Sequence, residues 1–253
     1  MGITRPYKRI CRQFVDGTYS ASGQWRYLYH HDFAQSPEQY VRAFLLIQKD
    51  LQALFDYVEP SDVNDATYSY RIHELLLRTC VEVEANCKAI LTENSYVKAT
   101  DLNMDDYKKI NFSHHLSSYE VKIPLWYGAN NVRKPFANWA SGGGLIWYKA
   151  YNLTKHDRHE KFKEASFNNL IDSVCGLVAI LSSQFYQESY MPGHSYELRD
   201  DETGDGMEVS IGEYFRVKFP EDWTNDEQYE FTADDIADPS FAIQKFDFNN
   251  INP

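Results

Sequence analysis

Leu145-Ile-Trp-Tyr-Lys-Ala-Tyr-Asn-Leu-Thr-Lys-His-Asp-Arg158 follows a Gly142-Gly143-Gly144 run and precedes the longest apolar-periodic segment, Ala165 to Tyr186. The spacing predicts one helix over about 145–158 and a core helix over about 162–186, through Ala165, Leu170, Val174, Leu177, Val178, Leu181 and Phe185. On the first helix, Asn152, His156 and His159 fall on one face. Tyr148, Tyr151, Lys155 and Arg158 fall on an adjacent one. Such a stripe is either a working surface or a polar network joining helices.

Two more helices are legible upstream. Ser36-Pro37-Glu38-Gln39 reads as a capping box with proline in the first turn. From it Tyr40, Phe44, Leu45, Ile47, Leu51, Leu54, Phe55 and Val58 recur at spacings of three and four until Pro60. A second helix runs from about Tyr68 to Thr92 on a face of Ile72, Leu75, Leu76, Thr79, Cys80, Val83, Cys87, Ile90 and Leu91. Its polar face offers the pairs Arg78–Glu82 and Glu84–Lys88, with Glu82 and Asn86 beside the core stripe.

Residues 94–140 read as an insert. It holds a short helix over Leu102–Ile110 capped by Asn103, a polar His114-His115 loop and an aromatic, turn-rich run up to the glycines. Three glycines without a following Lys-Ser/Thr are a flexible lead-in, not a phosphate loop. Residues 1–36 read as a packed arm or a short strand pair. Past Gly193, short strands are expected at His194–Arg199, Glu208–Phe219 with a bulge at Gly212, Gln228–Thr232 and Phe241–Phe248, with a hairpin turn at Asp201–Gly206. The expected architecture is mainly α: an antiparallel four- to five-helix bundle over 37–193, an N-terminal arm over 1–36, and a small acidic antiparallel β appendage over 194–253.

Charge divides the chain unevenly. Residues 1–193 balance 21 Lys and Arg against 21 Asp and Glu, whereas residues 194–253 hold 4 against 16 and supply the whole net charge of -12. Basic clusters stand at Arg5-Lys8-Arg9-Arg12 and at Lys149-Lys155-Arg158-Lys161-Lys163. The acidic end serves solubility or shields the second cluster as a polyanion mimic. No apolar run reaches the ~18 residues of a membrane span, and the first twelve residues lead into no apolar leader core. A cytoplasmic protein with no membrane association is expected. Cys11, Cys80, Cys87 and Cys175 form no CxxC pair and read as small buried hydrophobes. No metal-ligand spacing and no cofactor motif occurs.

His156 is the candidate general base. Asn152, one turn earlier, would position a phosphate or hydroxyl, and Lys155 and Arg158 would stabilise phosphate charge. Such a set suits RNA cleavage without metal, completed by pairing two copies across a symmetric dimer. The stretch Trp147-Tyr-Lys-Ala-Tyr-Asn-Leu-Thr-Lys-His-Asp-Arg158, with Phe162-Lys-Glu-Ala165 and the apolar helix after it, resembles the HEPN superfamily over roughly residues 38–190. That resemblance implies a helical bundle that dimerises and, in many members, a metal-independent RNase of toxin–antitoxin, abortive-infection or other phage-defence systems. The superfamily's motif is Arg, often a polar residue such as Asn, then His four to six residues after the Arg. Asn152 and His156 match it, and Tyr151 stands where the Arg belongs. The implied roles are His156 and Asn152 as catalytic residues, with Lys155, Arg158, Tyr151 and Lys149 toward RNA. Implied partners are a second copy of the chain, RNA, and a protein such as a cognate antitoxin. The other reading is a non-catalytic HEPN-like dimerisation or protein-interaction module.

Overall fold

The computed structural model describes residues 2–190 and 205–251. The strand expected over His194–Arg199, and all but the end of the turn expected at Asp201–Gly206, lie outside them. The described helices are α1 (Pro37–Phe55), α2 (Tyr70–Glu93), α3 (Met104–Lys108), α4 (Asn111–His114), α5 (Ile146–His156), α6 (Arg158–Lys161), α7 (Phe167–Phe185) and α8 (Ala233–Ala237). The strands are β1 (Glu120–Lys122), β2 (Val132–Arg133), β3 (Glu208–Val209) and β4 (Arg216–Lys218). The protein is mainly α with a small antiparallel sheet.

Helix α7 is buried at every position except Asn168 and Asp172, as expected of a helix that is apolar all round. It starts at Phe167, where the Ser166 side chain accepts from the Asn169 amide. The stretch before it, Phe162–Glu164, is 3-10 helix, so the segment expected as one helix from 162 is divided. Two of the three serines within α7 are satisfied locally: Ser173 Oγ donates to the Leu170 carbonyl and Ser183 Oγ to that of Ile180. Helices α1, α2 and α5 pack around it.

The pattern read for α2 is its buried face, capped by Ser69, whose hydroxyl accepts from the Ile72 amide. Its expected i,i+4 ion pairs do not form. Arg78 reaches Asp50 of α1 instead, and Glu84 receives a hydrogen bond from Tyr148 of α5, each partner lying across a helix–helix contact. At α1 the capping box is absent: Ser36 is left-handed (φ 47°) and its side chain caps nothing. The Asn103 cap of α3 does form, with Asp106 returning the bond.

The β elements differ most from expectation. Strand order is β2-β1-β4-β3, all antiparallel, with Val121 facing both Arg133 and Val217. Half the sheet therefore comes from the 94–140 insert. Gly212 (φ +79°) sits in the turn of the β3–β4 hairpin, not in a strand bulge. Gln228–Thr232 and Phe241–Phe248 are not strands. Tyr229 makes isolated bridges to Ile3 and Phe14, and Gln244 makes one to Tyr7. The N-terminal residues are a packed arm with a 3-10 helix, Ala21–Tyr29. Ile10, Cys11, Phe14, Tyr229 and Phe248 are all fully buried.

The first basic cluster is not a surface patch. Arg9 is fully buried, with Nε 2.6 Å from Glu93 and further bonds to the Gln184 side chain and the Gln35 carbonyl. Arg12 donates to the carbonyls of Glu227 and Ser113. Two arginines thus join the arm to α2, α7 and the C-terminal segment, where desolvated cations hold only if hydrogen-bonded.

His114 is also fully buried. Its Nε2 donates to the Arg9 carbonyl at 2.9 Å, and its Nδ1 lies 2.7 Å from Ser113 Oγ. Burial holds its pKa down to about 3. Between pH 6.5 and 3 the unfolded chain takes a proton there that the folded chain refuses, so this contribution is complete above 6.5 and is lost as the pH falls. Burial pushes Asp172 the other way, up to about 6, so its contribution grows as pH falls from 6 toward 3.8. A His114→Asn variant isolates the first effect, since Asp172 is common to both proteins. The stability gap between wild type and variant should shrink by about 1.4 kcal/mol per pH unit from 6.5 to 4 in denaturant melts. A gap constant over that range would contradict it.

Candidate functional site

Helix α5 is fixed in rotation by its buried side, Trp147, Ala150, Tyr151 and Thr154. The Trp147 indole donates to the Pro135 carbonyl at 3.0 Å. Its ring lies over Gly176 of α7, where an added Cβ would come within 3.1 Å of it. The glycine lead-in is pinned. Asn138 Nδ2 donates to the Gly144 carbonyl, the Gly143 amide donates to the Asn138 carbonyl, and Lys108 Nζ donates to the Gly142 carbonyl. The flexible linker expected there is a hydrogen-bonded turn.

With that rotation set, the two i,i+4 stacks on α5 face different ways. Lys149, Asn152 and His156 line a solvent-open groove against α3. The groove is two adjoining depressions of about 410 and 440 Å³ that meet at Met104, Tyr148 and Asn152. One holds Glu84, Asn103 and Asp105; the other holds Leu145, Leu153, Asp157 and Lys161. The depression at Leu145 and Leu153 is mainly apolar with Lys149 and Lys161 beside Asp157, a form suited to a planar ligand with an anionic end, whereas the other is mainly polar and acidic. Tyr148 Oη donates to Glu84 Oε1 at 2.8 Å. Burial, then that carboxylate, raises the Tyr148 phenol far above its ordinary range, so it is a fixed donor. Among the described residues neither His156 nor Asn152 has a side-chain hydrogen bond and none orients the imidazole, so both side chains are open to a ligand.

Tyr151 and Lys155 turn toward α2. Tyr151 is 1% exposed, and its hydroxyl accepts from Lys155 Nζ at 3.1 Å. That bond raises the Lys155 ammonium, while burial raises the phenol of Tyr151. The expected placement of Tyr151 toward RNA is therefore corrected: the residue is a core side chain. The helix also stops at His156. Asp157 leaves helical geometry (φ -139°, ψ 67°) and caps α6, accepting from the Glu160 amide. Arg158 is thereby carried over the Tyr70 ring, 5.6 Å from its centre, and His159 points into solvent beside Glu160. His159 does not share the face of Asn152 and His156.

Glu84 is the groove residue that sequence reading missed, having assigned it to a solvated face. A signal existed: it lies four residues after Cys80 and three before Cys87, so it borders the core stripe. For metal, one group of donors within 4.8 Å occurs among the described residues: His30, His31 and Asp32. It lies on the N-terminal segment, and His30 Nδ1 already accepts from the Asp32 amide at 3.2 Å. No protein-family model, no curated protein and no solved structure matches the chain.

Position 151 provides a test. Tyr151→Phe removes one hydrogen bond and keeps the ring, and should cost about 1 kcal/mol. Tyr151→Arg, which would complete the Arg-Asn-x-x-x-His pattern, forces a guanidinium into a sealed site and should cost about 3 kcal/mol or more. Chemical denaturation measures both. A Tyr151→Arg protein as stable as wild type would show that this position reaches solvent.

Proposed function

We propose that the chain is a HEPN-like, cytoplasmic RNA-binding protein of bacterial defence or stress response. In this reading α1, α2, α5 and α7 correspond to the antiparallel bundle of that superfamily, and residues 205–251 are an acidic elaboration of it. The observation that carries the proposal is the shared groove of Asn152, His156, Lys149 and Lys161. It combines a hydrogen-bonding amide, an imidazole and two ammonium groups beside an apolar floor. A base or sugar would rest against Met104, Tyr148 and Leu153, with the phosphate toward the lysines.

Cleavage on this surface would run without metal. His156 would take the proton of a 2′-hydroxyl, Asn152 would position the phosphate, and a cation would stabilise the pentavalent phosphorane. Among the described residues two parts of that set are absent: a cation in place of Tyr151 and a group that orients His156. A homodimer with α5 facing α5 would supply both from the second copy. The sealed position of Tyr151 favours the second reading, a non-catalytic HEPN-like module whose groove holds RNA or a partner such as an antitoxin.

Mixed RNA incubated in EDTA with wild type, His156→Ala and a Lys149→Ala/Lys161→Ala double variant separates these outcomes. Wild type should retard RNA in native gels, and the double variant should bind more weakly with a salt slope lower by about 2. Cleavage that is lost in His156→Ala assigns the RNase; retardation without cleavage assigns the binding module. A folded wild-type protein that fails to retard RNA at low salt would sink the RNA reading.

A further inference from the structure

Beyond the C-terminal end of α5, the start of α2 and the helical turns after α5 meet in an aromatic cluster. Tyr70 and Tyr68 are 67% and 51% exposed. Both rest on Phe162, with ring centres 4.8 and 5.5 Å away. Phe162 is held from below by His73, which is buried and edge-on to it at 5.8 Å. The backbone under the tyrosines is pinned by the Tyr68–Ser166 bridge and by the bond from the Phe167 amide to the Thr67 carbonyl. Two broad, rigid rings are thus presented to solvent where an ordinary surface would place flexible polar side chains.

The charges beside them are unbalanced in a specific way. Lys155, Arg158, Lys161 and Lys163 border the cluster or lie one turn from it, and among the described residues none has a carboxylate within ion-pair reach. The nearby acids are otherwise engaged or point away. Asp157 caps α6, Glu74 pairs with Arg71, and Glu160 faces His159. The Arg158 guanidinium already stacks on Tyr70. Unpaired cations next to exposed aromatic faces match a polyanion with flat bases. Val63, Leu125 and Tyr127, near the Asp62 turn, are exposed as well.

We propose that Tyr68 and Tyr70 form a stacking platform for single-stranded RNA, with Arg158 and Lys155 on the phosphates. The proposal rests on the RNA-binding reading and adds a second contact surface to it. A strand stacked there would cross the α5–α6 turn and enter the groove at His156 and Lys161, which border that turn from the other side. Because aromatic faces take any base, the platform gives affinity and strand type rather than sequence preference.

The test is fluorescence anisotropy with a labelled 12-nucleotide oligouridylate in EDTA, in a His156→Ala background. In this background Tyr70→Ala should bind about tenfold more weakly and Tyr70→Phe within about twofold of the parent. Melting curves should show both variants folded. A duplex RNA of equal length should show no dependence on residue 70. Parent binding that is unchanged in both Tyr70→Ala and Tyr68→Ala overturns the platform and leaves the groove reading standing. A parent protein that binds no RNA overturns the RNA reading, and the platform with it. Self-association lost in Tyr70→Ala, with RNA binding intact, would assign the surface to protein contact and overturn the proposal.

Discussion

Helix α7 has no solvent face, and much of the molecule follows from enclosing it. Its two less buried residues, Asn168 and Asp172, are both hydrogen-bonded by Arg133 of β2. Helices alone leave part of such a cylinder uncovered. The remainder is closed by β1 and by the N-terminal arm, whose Cys11 amide donates to the Ser183 carbonyl. Arg9 is the polar counterpart of this closure. Its guanidinium joins α2, α7 and the arm in a site from which water is excluded, where losing any partner would strand a charge.

Enclosure of α7 also sets the chemistry of α5. Trp147 seats over Gly176, and that contact fixes which residues of α5 look outward. Asn152 and His156 then look into the groove, while Tyr151 is consumed by the core. The same rotation suits a tyrosine at 151: a phenol can be half of a buried contact and accept a hydrogen bond from Lys155. An arginine in that rotation would replace a buried ring with a cation that the neighbouring Lys155 ammonium repels. The helix break at Asp157 then divides the basic residues between two flanks, so that one short segment serves a groove and an aromatic surface.

The acidic C-terminal residues have a structural role that charge counting hides. Tyr229 is buried between arm residues, and its hydroxyl donates to the Ile10 carbonyl. Phe246 and Phe248 pack at the end of α2, where Asn94 accepts from the Phe246 amide. Among the described residues most acids of this segment are exposed, while Glu208 and Glu227 are half-buried and accept from Tyr186 and His115. Among the described residues no ion pair links it to Lys155 or Arg158.

Local periodicity determined the helices. The apolar stripes of α1 and α2, the all-round apolarity of α7 and the Asn103 cap were legible because each depends on residues within a turn or two of one another. Asn152 and His156 were legible as a pair for the same reason, since i,i+4 spacing is a property of one helix. The remainder depends on contacts between residues far apart in sequence. Strand pairing of 120–133 with 208–218, burial of Arg9 and Arg12, recruitment of Glu84 to the groove, and the two opposed flanks of α5 each require a partner that no local pattern names. The sequence by itself specified the long helical segments and where polar side chains share a helix face. The tertiary structure decided which of those side chains meet solvent together, because rotation about each helix axis is set by long-range packing such as Trp147 against Gly176.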